Sequence, residues 1–532
     1  MGLSRRAVLF LLLGLLCGQS GAQAEPGTGP RLWGALTPGA YGVGFRVLYR
    51  FDRSRTWKRT RGYEKPFTPY RNGRPIRIEI WYPASAQGQS STMRFGDYLR
   101  PGAPAPFAEY EALVERHDQQ MPALSVPTDG VPELLASPVA ARRDAPRAAG
   151  RFPVILYFGG LNAFTTDNVV MAEFLASHGY MVASVPPMGR SEEDSSLSRK
   201  PTDLETAVRD MEFAWSVLRG EAEVDGGKVA VMGHSLGAIY ALLFAMRNAD
   251  VSAVAGLDGT YGFAEGAPVL TNFYGYAPEK MLAALLDLRK PAGEQGTVLD
   301  PSAAEALRYS DRYLVTVSKM HHSDFTSFAM IAQEFRLGNS PGYVDPSGWT
   351  RETGYRGFQN VCEIVRDFLD EKLRVDPGAH SRLLADVARA DSGVLKHENA
   401  LQPPPSAREF VELIAKGGFD AATAIVDRYR RETPGEAVVE ENACNSLGYE
   451  SLSAKRFPEA LAAFRLCAYA HPASANAADS LGDGYLAAGQ KELALSSYQH
   501  ALELVNGDPT LKPEQKKGFA ENEQRKIDQL TR

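Results

Sequence analysis

The run KVAVMGHSLGAIYALLFAMR, residues 228–247, sets Ser235 between two glycines, after a short strand-like stretch and before a helical apolar run. A serine hydroxyl attacks well only when a base takes its proton and an acid holds that base in place. Gly233-His234-Ser235-Leu236-Gly237 supplies the steric half of such chemistry. A sharp strand-to-helix turn has no room for Cβ atoms beside the serine, so G-x-S-x-G projects the hydroxyl outward and aims the helix N-terminus at the reacting centre. The pattern alone is weak in a chain with 49 glycines, and it is the strand and helix around it that predict a nucleophile rather than a plain turn.

Six histidines follow Ser235: His321, His322, His380, His397, His471 and His500. The last four fall in a link or in repeats, which leaves His321 and His322 of YLVTVSKMHHSDF, just past a β-type run, as the candidate base. For the acid, VAGLDGTYG puts Asp258 where a strand ends, and side chains converge at the carboxyl edge of a parallel sheet. The plainer readings are a solvated histidine pair and an Asp-Gly turn.

These residues need a scaffold, and the chain predicts one. IRIEIWYPA, PVILYFGG, MVASVPP, KVAVMGHS, VSAVAGLDG and RYLVTVSK read as strands, with helices over 167–178, 202–219 and 236–247. Strands alternating with helices predict an α/β fold with a mostly parallel sheet flanked by helices. Stretches 84–150, rich in Ala and Pro, and 261–312 read as insertions, either over a site or on the surface. Residues 374–406 read as a link that ends in LQPPPS, where three prolines stiffen the chain.

Beyond the link the sequence repeats. SLGYESLSAKRFPEALAAFRLCAYAHP and SLGDGYLAAGQKELALSSYQHALEL superimpose at an offset of 34 residues, matching Leu447 with Leu481, Gly448 with Gly482, Ala460 with Ala494 and Phe464 with Tyr498. That period is the tetratricopeptide signature, an all-α helical repeat. GFDAATAIVDRYRRETP supplies a degenerate first repeat, and residues after Pro509 a polar capping helix.

The first residues, MGLSRRAVLFLLLGLLCGQSGAQAEP, read as an export signal ending at Ala24, with Arg5-Arg6 similar to a twin-arginine signal. The expected mature chain is periplasmic or secreted, with no stretch long enough for a membrane span of about 20 residues. A net charge of −6 gives no general case for nucleic acid, although residues 31–79 are locally basic. Cys362, Cys444 and Cys467 are too few for a disulfide framework, with one pair open between the last two. Scattered histidines and the lack of Cys-rich spacing argue for no metal and no cofactor.

RPIRIEIWYPA, FPVILYFGGLNAF, GHSLG, LDG and HSDFTSF, in that order, resemble the successive motifs of platelet-activating-factor acetylhydrolases and their dienelactone-hydrolase-like relatives among the α/β-hydrolases. The resemblance covers roughly residues 35–373. It implies Ser235 as nucleophile, Asp258 as acid in preference to Asp300 or Asp311, and His322 as base, three residues before Phe325, with His321 as fallback. Where the family has His-Gly, this chain reads Gly159-Gly160-Leu161, which keeps the backbone donors. Leu161 and Leu236 are the expected oxyanion N–H groups.

The expected organisation is a signal peptide over 1–24, a hydrolase domain over 25–373, a linker over 374–406 and tetratricopeptide-like repeats over 407–532. The expected function is an exported serine hydrolase of carboxylic esters, with short-acyl phospholipid esters implied by the resemblance. Two other readings stand beside it: a binding protein that docks a protein partner on its repeats and whose hydrolase domain is inactive, and a hydrolase of peptide or polymer esters.

Overall fold

The computed structural model describes every residue except 1–29, 59–70, 86–90, 193–195, 292–297, 338–344, 346, 390–392, 434 and 436. The expected signal segment lies outside the described residues. Two compact units emerge, Met1–Leu401 and Gln402–Arg532.

Strands of the first unit are β1 (Gly42–Asp52), β2 (Arg74–Ala84), β3 (Thr92–Arg94), β4 (Pro138–Arg143), β5 (Phe152–Phe158), β6 (Met181–Ser184), β7 (Val224–His234), β8 (Val251–Leu257), β9 (Ala284–Arg289), β10 (Arg312–Thr316) and β11 (Val394–Glu398). They form one sheet in the order β11-β10-β9-β8-β7-β5-β6-β2-β1-β4-β3. The six from β10 to β6 run parallel, while β2 and β11 close this block antiparallel on either side. The fold is that of an α/β-hydrolase: the alternation of strands and helices predicts the mostly parallel sheet, and the motif resemblance implies the hydrolase arrangement.

Strand pleating sorts the core into two layers. Ile155 and Tyr157 of β5 join one cluster with helices Val169–Ser177 and Arg351–Leu369; Val154, Leu156 and Phe158 join the other with helices Pro201–Leu218 and Leu236–Arg247. All eleven residues of β2 are buried, charged ones included. Arg77 is held by Glu79 at 2.5 Å and Glu111 at 2.9 Å, and Arg74 by both carboxylate oxygens of Asp210 at 2.7 and 2.6 Å. A buried charge survives only when paired in this way.

Two expectations need correction. Stretch 261–312 is not wholly an insertion, because β9 runs through it between β8 and β10. Its short apolar run ALLDLR is broken by Asp287, which pairs within the interior with Arg289 and so does not mark a surface. The 374–406 segment is a link only at its end. Helix Ala379–Arg389 buries Leu383 and Val387, and β11 pairs with β10 along five residues. The boundary falls at Gln402, beside Pro403, Pro404 and Pro405.

The elements of the second unit, among the described residues, are helices: Ala407–Gly417 with Phe419–Glu432, Glu441–Ser453 with Phe457–Ala470, Ala475–Ala487 with Lys491–Leu504, then Pro513–Thr531. The repeated positions have a packing cause. A Cβ on Gly448 would stand 2.3 Å from the Phe464 ring, and one on Gly482 would stand 2.4 Å from the Tyr498 ring, 34 residues on. Cys444 and Cys467 are buried free thiols whose Sγ atoms both face the Glu441 carbonyl, at 3.3 and 3.5 Å.

Candidate active site

Ser235 sits at the junction of β7 and helix Leu236–Arg247 with φ 56° and ψ −123°. A non-glycine residue rarely adopts a positive φ, and strain of this kind persists where the surroundings over-determine it. Here the surroundings are close. A Cβ on Gly233 would lie 2.2 Å from the Gly237 carbonyl oxygen, and one on Gly237 would lie 2.2 Å from that of Phe158. The Ser235 N–H donates to Leu257 O at 3.0 Å, and its own carbonyl accepts from Thr260 N at 3.1 Å. Both flanking glycines are therefore required by backbone contact, and the serine is pinned between the ends of β5, β7 and β8.

Asp258 follows β8 directly, also at positive φ, and is wholly buried. Its Oδ1 accepts from Lys290 N at 3.2 Å and its Oδ2 from Nδ1 of His322 at 2.5 Å. That bond fixes the His322 tautomer: Nδ1 carries the proton and Nε2 is left as an acceptor. The His322 side chain is 40% exposed, open to a substrate, while its acid is not.

The neighbouring histidine is committed elsewhere. His321 Nε2 lies 2.7 Å from Asp345 Oδ2, and its ring stacks on Trp349 at 4.2 Å and 11°. The structure thus brings Asp258 to His322 and turns His321 away.

The Gly159–Leu161 turn passes so near Ser235 that a Cβ on Gly160 would stand 3.1 Å from Ser235 Cβ. The Leu161 side chain is exposed. Leu236 opens its helix, so its N–H has no acceptor within the helix. The two expected oxyanion donors lie in segments that meet at the serine.

Three supporting groups escaped the sequence reading. His234, the second residue of G-x-S-x-G, donates Nε2–H to the His322 carbonyl at 3.0 Å, its ring 4.7 Å from that of His322. Burial and the neighbouring His322 push its pKa down to about 3, so it stays neutral. Asp167, below the Gly159–Leu161 turn, takes a bond from Tyr157 OH at 3.1 Å while its Oδ1 is buried without a partner. Burial pushes its pKa up to about 7. The third is the Asp345–Trp349 pair that holds His321. Sequence spacing signals none of these, because each bond joins residues distant in the chain or buried by tertiary packing.

Among the described residues no cluster of three or more His, Cys, Asp or Glu could hold a metal ion. Nor is any described helix long and apolar enough to cross a membrane.

The parallel sheet and the strained serine elbow define the α/β-hydrolase class. Within it, a family model described as Chlorophyllase matches residues 122–291, a stretch that holds Leu161, Ser235 and Asp258 and stops before the two histidines. Chlorophyllase-1 of Arabidopsis thaliana is 27% identical over 283 residues, covering 48% of this chain and 82% of that protein. A ferulic acid esterase from Streptomyces cinnamoneus is 19% identical, with 67% of this chain and 96% of that one aligned at a TM-score of 0.44. The sequence matches support an ester hydrolase. They name Chlorophyllase where the motifs resemble platelet-activating-factor acetylhydrolases, and an α/β-hydrolase esterase is common ground for both.

Proposed function

We propose that the chain is an exported serine hydrolase of carboxylic esters, with Ser235 as nucleophile, His322 as base and Asp258 as the acid that orients it. The observation that carries this reading is the 2.5 Å bond from His322 Nδ1 to the buried Asp258, whose neighbours Leu257 and Thr260 bond the backbone of a serine held at φ 56°. Asp258 keeps the ring in the tautomer whose Nε2 accepts the serine proton and stabilises the imidazolium that forms. Oγ of Ser235 attacks the ester carbonyl, and the oxyanion takes bonds from the Leu161 and Leu236 N–H groups. His322 then returns the proton to the leaving alcohol, and water, activated by the same nitrogen, releases the acyl group.

Short-acyl phospholipid esters are the proposed substrates, on the strength of the motif resemblance. Residues 407–532 are proposed as tetratricopeptide-like repeats that dock a protein partner, supported by the equivalence of Gly448–Phe464 with Gly482–Tyr498.

The test is labelling of the purified protein with a fluorophosphonate, beside hydrolysis of p-nitrophenyl esters of rising chain length and of acetylated and long-chain phospholipids. Labelling and turnover should both vanish in Ser235→Ala. Labelling that persists in that variant, or preference for a peptide over every ester, overturns the reading.

A further inference from the structure

Helix Ala108–Asp118 belongs to the Ala- and Pro-rich stretch that interrupts the alternation of strands and helices. Its last two residues reach the loop that carries Leu161. His117 donates Nε2–H to the Ala163 carbonyl at 3.1 Å and lays its ring beside Phe164, with centroids 5.0 Å apart. Asp118 takes the Thr165 N–H on Oδ1 at 3.2 Å and the Thr165 hydroxyl on Oδ2 at 2.9 Å. The same Oδ2 lies 3.4 Å from Arg77, inside the buried charge cluster of β2.

Asp118 is an expensive residue at that point. Its carboxylate is wholly buried, and it stands at the C-terminal end of a helix, where the dipole disfavours negative charge. Arg77 and the two Thr165 donors are what make the site tolerable, so the helix end and the loop are locked to one another.

The loop needs that lock because its own tip has little to hold it. Gly159 and Gly160 have no side chains, the Leu161 side chain is exposed, and Asn162 is at φ 55°. The tip is closed by one turn bond, Ala163 N to Gly160 O at 3.2 Å. Its far end is tied from two directions: by His117 and Asp118 on the insertion side, and by Ser327 N, which donates to Asp167 O at 2.9 Å from the segment that follows His322. A backbone donor stabilises an oxyanion only when it is fixed where the charge develops, and loss of one such donor costs about 10²- to 10³-fold in kcat.

We infer that His117 and Asp118 are positioning residues: through Ala163 and Thr165 they hold the Leu161 N–H in register with Ser235, so this insertion is part of the catalytic apparatus. The inference rests on the proposed oxyanion role of Leu161. Neither residue touches the reacting atoms; both act through the loop.

The experiment uses the full chain, with Thr165→Val, Thr165→Ser, His117→Phe and the double variant Thr165→Val/His117→Phe. These leave the Asp118–Arg77 pair in place, so folding is kept, as thermal midpoints check. Kinetics on p-nitrophenyl acetate are read beside inhibition by an aryl trifluoromethyl ketone, whose hemiketal oxygen occupies the oxyanion position. The double variant should lose about tenfold or more in kcat with KM nearly unchanged, and its Ki for the ketone should rise by a similar factor. Thr165→Ser, which keeps the hydroxyl, should stay near the wild type. Unchanged kcat and Ki in the double variant, an effect on KM alone, or a loss that follows the unfolded fraction overturns the inference. Ser235→Ala, run alongside, separates the two ideas: turnover that survives it sinks the serine mechanism itself, whereas serine-dependent turnover indifferent to the loop variants sinks only the lock.

Discussion

Nδ1 of His322 stands 2.5 Å from a wholly buried Oδ2 of Asp258, while the adjacent His321 points its Nε2 at Asp345, 2.7 Å away. Two consecutive histidines in the loop after one strand thus face two different carboxylates, and only Asp258 lies in the segment that also fixes the backbone of Ser235, through Leu257 O and Thr260 N.

That division predicts unequal variants. His322→Ala should lower kcat on a small ester by about 10⁴-fold or more, the scale for losing a group that acts as a unit with its nucleophile. His321→Ala should cost far less, through the lost stack on Trp349. Steady-state kinetics of the two purified variants decide it, and the reverse ranking would move the base to His321.

Two buried groups predict opposite pH terms in stability. His234 titrates near 3 in the fold against 6.5 unfolded, so between these values the unfolded chain binds the extra proton and stability drops as pH falls. Asp167 titrates near 7 in the fold against 3.8 unfolded; there the native state keeps the extra proton, and stability drops as pH rises through that window. Each slope approaches about 1.4 kcal/mol per pH unit, and from roughly pH 4 to 6.5 they oppose one another. Asp167→Asn should therefore make the thermal midpoint climb more steeply with pH than in the wild type, and His234→Asn should tilt it the other way. Midpoints at pH 4.5, 5.5 and 6.5 test this; curves parallel to the wild type would falsify both assignments.

The sequence carried the parts of this site that are local. G-x-S-x-G follows from backbone contact among Gly233, Gly237 and Phe158, and Asp258 from its place at a strand end, so both are visible in short windows. What sits beneath was hidden because burial inverts the usual meaning of polarity. Asp287 and Arg289 lie in a stretch that reads as an insertion, and Arg74, Arg77 and Glu79 in one that reads only as locally basic, yet all are interior and paired. The choice between His321 and His322 rested on resemblance, since adjacent residues share every local signal; the contacts that separate them span 64 residues to Asp258 and 24 to Asp345.

Leu161 offers a test of backbone against side chain. If its N–H receives the oxyanion, Leu161→Ala should leave kcat on p-nitrophenyl acetate within a few-fold of the wild type, because the side chain is exposed and the amide remains. Leu161→Pro deletes the donor and should cost about 10²- to 10³-fold in kcat. Since proline also disturbs the turn, the ketone Ki of a folded Leu161→Pro sample is measured too. Equal activity in the two variants would remove Leu161 from the site.

Truncation tests where the first unit ends. Its apolar clusters draw only on residues before Leu401, and those of the second unit only on residues after Gln402, so each side carries its own core. A chain that stops after Leu401 should fold and retain hydrolysis of a small soluble ester. A cut after Val394, within the segment that reads as a link from sequence, should behave differently. It removes nearly all of β11 and with it the partner of β10, the strand that leads into His321 and His322. Lost along with the ladder are the Arg312–Glu398 contact at 2.6 Å, the His397–Asp311 contact at 2.7 Å and the stacking of Tyr313 on His397 at 4.2 Å. An unpaired β10 frees the loop that presents His322, so the shorter chain should show a lower thermal midpoint and a reduced kcat. Circular dichroism melts and p-nitrophenyl acetate turnover of both truncations settle the matter: if the cut after Val394 matches the cut after Leu401 in stability and rate, β11 has no part in holding the base.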